Sequence, residues 1–356
     1  MSINKSDLVK KFHSLLENMI KTQIPDIHIT SSSVPLIRKH DWDIEYIEEF
    51  WELSKEDVGE IIKEMAGEEG FEYFLQNLEK DFSYTFGEAK FRVNIYNDAR
   101  WYSIAIRYIP IEIPSLETLN VSKEVKNLLH KWKWLILMTG PTWSWKSTTL
   151  ASMIDYINKN FKKHIITIED PIEFNLKNNK CLINQREIWT HSESFGRAIK
   201  SALREDPDVI MVWEMRDPET IQAALTLAET GHLVLSTLHT NDTVQSIDRI
   251  IDSFPAGSQN QIRTQLAMSL VGIISQILLP KKDATTRVVA REILINNDAV
   301  RSLIISGNIH QIYSIIELSG NEGMVLMDKY LEMLFMKWFI TKEIFNSRLR
   351  DKDLVK

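Results

Sequence analysis

The chain has 356 residues, 44% hydrophobic and 26% charged, with a formal net charge of −7 at pH 7. That length fits two domains, and the acidic balance counts against a protein whose main business is gripping nucleic acid. The single cysteine, Cys181, excludes a disulfide framework and a tetracysteine zinc site, and suits a reducing cytosol.

Residues 5–22 predict an amphipathic helix, because Leu8, Phe12, Leu15, Leu16 and Met19 recur at helical spacing. Charges scatter through it and no continuous apolar core is present, so it is not a signal peptide. Residues 26–29 and 36–37 read as short strands, and 54–80 as a helix with Ser54 as its cap and Glu56 in its first turn. Three strands follow at 82–86, 89–96 and 102–108, separated by turn residues. Together they predict a small α+β domain over residues 1–111. Residues 112–120, beside Pro110 and containing Pro114, read as an extended linker.

From 121 to 356 the pattern alternates. Strands are predicted at 135–139, 165–169, 208–213 and 232–238, and helices at 147–159, 193–203 and 218–229, the last started by Asp217 and Pro218. Such alternation predicts an α/β domain with a mostly parallel sheet covered on both faces. Residues 256–350 read mainly as helices and admit a strand pair at 285–295. The most apolar run, 270–279, is broken by Ser275 and Gln276 and is too short to cross a bilayer.

The chemistry concentrates in this second part. Gly140-Pro141-Thr142-Trp143-Ser144-Trp145-Lys146-Ser147-Thr148 lies between an apolar strand and a helix, the setting of a phosphate-binding loop. Successive backbone N–H groups and the helix N-terminus cradle a phosphate there. Lys146 would reach the outer phosphates and Ser147 would bind Mg²⁺. Tryptophan stands at 145, where the motif has glycine to permit φ > 0 and close backbone approach. Glu169, Asp170 and Glu173 follow a predicted strand, at the sheet end where ligands bind in open α/β folds. The apolar run 208–213 ends in Glu214, as suits a strand that delivers a carboxylate to Mg²⁺ or its water. His232 and His239 bracket another strand and show no metal-site spacing. Arg92, Arg100 and Arg107 lie on the strands of the first domain.

The chain resembles the type II/type IV secretion ATPase family, and within it the type IV pilus retraction ATPases. The resemblance runs from about residue 24 to near the end. It is carried by Lys90-Phe-Arg-Val-Asn94, His164-Ile-Ile-Thr-Ile-Glu-Asp-Pro-Ile-Glu-Phe174, Ile183-Asn-Gln-Arg-Glu187, Ala202-Leu-Arg-Glu-Asp-Pro-Asp208, Glu214-Met-Arg-Asp217, Glu229-Thr-Gly-His232, Thr237-Leu-His-Thr240 and Ile247-Asp-Arg-Ile-Ile-Asp252. It implies a RecA-like P-loop core with a smaller N-terminal α+β, PAS-like domain. It implies ATP with Mg²⁺, and a cytoplasmic homohexamer at the inner face of the membrane that turns a membrane platform protein, without nucleic acid and without a membrane span. In that family Glu173 matches the catalytic base, Glu214 the atypical Walker B carboxylate that serves Mg²⁺, and His239 the second histidine of a box that couples nucleotide state to subunit contacts. Arg107 and Arg92 match arginines that reach the γ-phosphate across an interface. Arg204 and Arg216 are further candidates at the sheet edge, and Arg301 matches a helix needed for retraction. The missing extra N-terminal domain and tetracysteine site favour retraction over the alternatives, pilus assembly or type II secretion.

Against the family pattern, tryptophans at 42, 101, 134, 143, 145, 189, 213 and 338 stand at glycine positions. Trp132 is a further candidate, and Trp51 is not placed against the pattern. The chain has only 12 glycines, about half the usual ~7%. A gene reading UGA as glycine, translated with a code that reads UGA as tryptophan, gives this pattern. The rival is a non-hydrolysing ring subunit whose pocket is blocked by indoles.

Overall fold

The structure is a computed structural model that describes residues 5–39, 43–109, 112–283 and 286–350. The chain divides into two units, Met1–Glu112 and Ile113–Lys356.

The first unit contains α1 (Lys5–Thr22), β1 (Asp26–Thr30), β2 (Leu36–Arg38), β3 (Ile44–Tyr46), α2 (Lys55–Asn77), β4 (Glu79–Phe86), β5 (Ala89–Asp98) and β6 (Trp101–Ile109). The strands form an antiparallel sheet in the order β3-β2-β1-β6-β5-β4. In β5 the residues alternate, burying Ala89, Phe91, Val93 and Ile95 while Lys90, Arg92, Asn94 and Tyr96 face outward. That period of two covers one face of the sheet. The buried residues of α1, at the spacing read from the sequence, complete the same core with Val58, Ile61, Ile62 and Phe74 of α2. The helix expected over 54–80 stops at Asn77, because Leu78 turns left-handed and β4 starts at Glu79, earlier than the expected 82. The strand β3 was not anticipated: its three residues are exposed and carry no alternation.

The second unit contains α3 (Lys123–Leu128), β7 (Trp134–Thr139), α4 (Lys146–Asn160), β8 (His164–Glu169), β9 (Leu182–Glu187), α5 (Phe195–Ala202), β10 (Val209–Val212), α6 (Pro218–Glu229), β11 (Leu233–Leu238) and α7 (Thr243–Asp252). It continues with α8 (Gln259–Ser269), β12 (Leu270–Pro280), β13 (Arg287–Ile295), α9 (Asp298–Ser306), α10 (Ile312–Leu318), α11 (Met327–Met336) and α12 (Lys342–Arg348). The sheet order is β13-β12-β7-β11-β10-β8-β9. Every pairing is parallel except β12 with β13. Central strands of such a sheet must be apolar on both sides. In β7, Leu135 and Leu137 enter one core, while Ile136 and Met138 enter the core on the other face.

Two expectations are corrected here. Residues 112–120 are not an extended linker throughout: residues 116–120 turn, Leu119 N–H bonds to Ser115 O, and Leu116 and Leu119 are buried in the core. The apolar run near 270 is not helical. It is the strand β12, paired along its length with β13, which fills the site of the expected strand pair at 285–295. The polar residues Ser275 and Gln276 sit inside it because both are fully buried with hydrogen-bond partners. The strand β9 was also missed, since most of it is polar and only Ile183 is buried.

Candidate nucleotide site

The carboxyl ends of β7, β8, β10 and β11 share one edge of the sheet, because these strands run parallel in neighbouring registers. Each delivers a piece of the site there, as the open α/β rule requires. The strand β7 feeds the loop 140–145, β8 ends at Glu169, β10 is followed by Glu214, and β11 by His239.

Gly140 opens the loop at φ 138°, and a Cβ there would lie 2.1 Å from the carbonyl oxygen of Gln276. Only glycine fits that approach. Trp143 and Trp145 also take left-handed backbone, at φ 73° and 60°. Trp145 is the N-cap of α4 and makes no side-chain cap bond. Ser147 and Thr148, half-buried, fill the first turn of α4.

Lys146 is buried and donates to Gly140 O at 2.7 Å and Pro141 O at 2.9 Å. Burial lowers its pKa to about 8, although the charges of Glu214 and Glu173 pull it upward. Its Nζ also lies 3.4 Å from Nδ1 of His239. On the other side of the ring, His239 Nε2 is 3.3 Å from Glu214 Oε2, and the same oxygen is 2.8 Å from Arg216 Nε. Burial and the positive charge of Lys146 hold the His239 pKa below its usual value. A neutral ring protonated on Nε2 fits both neighbours, accepting from Lys146 and donating to Glu214. Glu214, Arg216, His239, Thr240 and Arg249 line a cavity of about 270 Å³ beside this chain of contacts.

The acidic segment is braced from β9. Glu169 is buried and accepts from Thr167 Oγ1 at 2.6 Å and Gln185 Nε2 at 3.0 Å. Gln185 also donates to Phe174 O, and Glu187 accepts from Ile172 N–H. These bonds hold residues 169–174 over the sheet edge. Glu173 is half-buried, and its charge acts on Lys146.

The structure therefore brings together Lys146, Glu214, His239 and Arg216, with Glu173 in electrostatic reach. His232 lies at the other end of β11, where its Nδ1 meets Leu227 O. Arg204 is exposed after α5, and Arg301 pairs with Asp298 on α9. Arg92 and Arg107 belong to the first unit, directly opposite each other across β5 and β6; they pair with Asp81 and Asp26. Arg100 follows Asp98 in the turn between those strands.

One residue that holds the loop escaped the sequence reading. Gln276, fully buried on β12, donates to Ser144 O and accepts from Thr149 Oγ1 at 3.0 Å and Arg291 Nε at 3.0 Å. The fully buried Arg291 in turn donates to Leu119 O. Gln276 thus ties the phosphate loop to the first turn of α4. The signal in the sequence was a polar pair interrupting the most apolar run.

Residues 88–320 match the family described as type II/IV secretion system protein. A twitching motility protein of Neisseria gonorrhoeae is 46% identical over 320 residues, covering 90% of this chain and 85% of its own. The type IV pilus retraction ATPase PilT of Pseudomonas aeruginosa is 42% identical over 339 residues, covering 95% and 97%. A crystal structure of the pilus retraction motor PilT with bound ADP superposes with a TM-score of 0.83 at 40% identity, covering 96% of this chain and 98% of that one.

Proposed function

This chain belongs to the type II/IV secretion system protein family, and from that premise we propose how it works as an ATPase that drives retraction of a type IV pilus. The observation that carries the reading is the contact chain Lys146–His239–Glu214 at the strand ends, directly beside a phosphate loop.

In the proposed site, N–H groups of residues 142–147 and the N-terminus of α4 bind the β- and γ-phosphates. Lys146 leaves Gly140 O and Pro141 O to meet the outer phosphate oxygens. Ser147 and Glu214 suit Mg²⁺, which is commonly held by one or two protein oxygens together with substrate phosphates. Bound there, Mg²⁺ would offset phosphate charge. Glu173 orients and deprotonates the attacking water, the role that phosphoryl transfer assigns to a positioned base. His239 holds Glu214 on one side and senses Lys146 on the other, so its position changes when Lys146 turns to the nucleotide. Arg92 and Arg107 are arginine donors to the γ-phosphate held by a neighbouring copy in a homohexamer. The movement is delivered to a platform protein at the cytoplasmic face of the membrane. Among the described residues no helix is long and apolar enough to cross a membrane.

The test is ATP turnover by the purified protein carrying Trp143→Gly and Trp145→Gly, beside the same protein with Lys146→Ala. Turnover abolished by Lys146→Ala supports the reading. A glycine-bearing protein that binds ADP but does not turn over ATP instead favours a non-hydrolysing ring subunit. Deleting the gene in the source cell separates the two motor roles: piliated cells that cannot twitch mean retraction, and bald cells mean assembly.

A further inference from the structure

Nine of the ten tryptophans fall among the described residues, and six of them have a left-handed backbone: Trp101 at φ 86°, Trp134 at 86°, Trp143 at 73°, Trp145 at 60°, Trp189 at 67° and Trp338 at 62°. Among the described residues they make up six of the eleven non-glycine residues with positive φ, and no other aromatic residue is among the eleven. Left-handed backbone occurs in only a few per cent of non-glycine residues and is an outlier for a bulky one, so nine tryptophans should yield fewer than one.

The local geometry asks for glycine by name. At the end of α11, Trp338 N–H bonds to Phe335 O and Phe339 N–H bonds to Leu334 O. At the end of α9, Gly307 N–H bonds to Ile304 O and Asn308 N–H bonds to Leu303 O. After Ser319, Gly323 N–H bonds to Gly320 O and Met324 N–H bonds to Ser319 O. The spacing is identical in all three, and it is the closure in which glycine takes the left-handed place. Two of the three positions hold glycine and the third holds tryptophan. Trp101 closes the hairpin between β5 and β6, again where glycine serves the bulged turn. Trp143 and Trp145 flank Ser144 in the phosphate loop.

Trp134 packs on the core, and Trp101 and Trp338 lie under lysine ammonium groups, yet four of the six indoles stay largely in solvent. Trp101, Trp189 and Trp338 are 57%, 81% and 73% exposed, and Trp145 is 41% exposed. Trp51 and Trp132 behave differently: neither has positive φ, and they pack against Phe50 and Phe161. Trp213 is half-buried and also lacks positive φ. Trp42 lies outside the described residues.

We infer that positions 101, 134, 143, 145, 189 and 338 carry glycine in the protein as its own cell makes it, inserted at UGA codons. The inference is about backbone and codon, and holds whether or not the nucleotide site hydrolyses ATP. It narrows the eight positions expected from sequence to six that geometry demands; the codons at 42 and 213 are read in the same experiment.

The experiment pairs the nucleotide sequence of the gene with peptide mass spectrometry of the protein purified from its source. The tryptic peptide from Trp134 to Lys146 reports three of the positions at once. The expected result is UGA at all six positions and glycine masses at each one observed. UGG at any of the six, or a tryptophan mass, overturns the inference. A second arm needs no source cell. Trp338→Gly should raise the melting temperature of the recombinant protein, while Trp51→Gly, at ordinary backbone, should lower it. A Trp338→Gly protein that melts lower than its parent also overturns the inference at that position.

Discussion

His239 stands between opposite charges, with Nδ1 3.4 Å from Lys146 Nζ and Nε2 3.3 Å from Glu214 Oε2. The ring bridges the phosphate-loop lysine and the carboxylate after β10. In the proposed site the ring acts while neutral, since burial and the charges of Lys146 and Arg216 oppose its protonation against the pull of Glu214.

That neutrality sets a pH range. Burial first, and Lys146 second, hold the His239 pKa below 6.5. Turnover should therefore hold as pH falls from 8 and drop only at a lower pH than an ordinary imidazole would give. His239→Ala should lower kcat about 10–100-fold, the usual cost of removing a partner that orients a metal-binding carboxylate, the role proposed for Glu214. His239→Gln keeps one donor and should recover part of the loss. A pH profile of kcat for the three proteins checks both statements, on the Trp143→Gly/Trp145→Gly background.

Lys146 gives a prediction of opposite sign for stability and for binding. Its folded pKa, about 8, lies below the ordinary 10.5. Between those values the unfolded chain holds more protons than the folded one, so stability rises with pH across that window. Below pH 8 the buried charge imposes its full cost. Lys146→Met should abolish turnover yet stabilise the fold at pH 7 by roughly 1–3 kcal/mol, seen as a higher melting temperature. Nucleotide phosphates raise the lysine pKa again, so ADP affinity should be flat below pH 8. Above it, affinity should fall by up to tenfold per pH unit, with proton uptake measurable by calorimetry in two buffers.

Much of this was legible in the sequence because the governing residues are local. The phosphate loop, the acidic segment after β8 and the carboxylate after β10 are short segments whose chemistry reads directly. The apolar runs of β7, β8, β10 and β11 announce a sheet buried on both faces. What stayed hidden depends on partners far along the chain. The strand β12 was obscured by Ser275 and Gln276, and Gln276 makes sense only once Ser144, Thr149 and Arg291 surround it. The strand β9 is polar because it braces the acidic segment rather than filling a core. Trp143 and Trp145 flagged damage to the loop, but only the sign of φ tells which tryptophans the backbone rejects.

Gln276 should matter more than its distance from the chemistry suggests. Gln276→Leu keeps the volume but strands the buried Arg291 Nε and Thr149 Oγ1. Leaving such groups unpaired costs about 1–3 kcal/mol, more for the charged one. Gln276→Glu restores acceptors for both but cannot donate to Ser144 O. Thermal melts should place the leucine variant well below the glutamate variant. ADP affinity should fall in both, because both lose the bond that holds the loop at Ser144. Unchanged ADP affinity in the glutamate variant would remove Gln276 from the phosphate site.

Glu173 separates chemistry from binding. Its carboxylate pulls the Lys146 pKa upward against burial, so the two charges act on each other across the site. Glu173→Gln keeps the shape and removes the proposed base. A positioned general base contributes about 10²–10⁴-fold, so kcat should drop by that range while ADP affinity changes little. The amide also removes a negative charge near Lys146, which lowers the lysine pKa further. The alkaline fall in ADP affinity should therefore start at lower pH in Glu173→Gln than in its parent. A loss of kcat without that shift would place Glu173 away from Lys146 in the working enzyme.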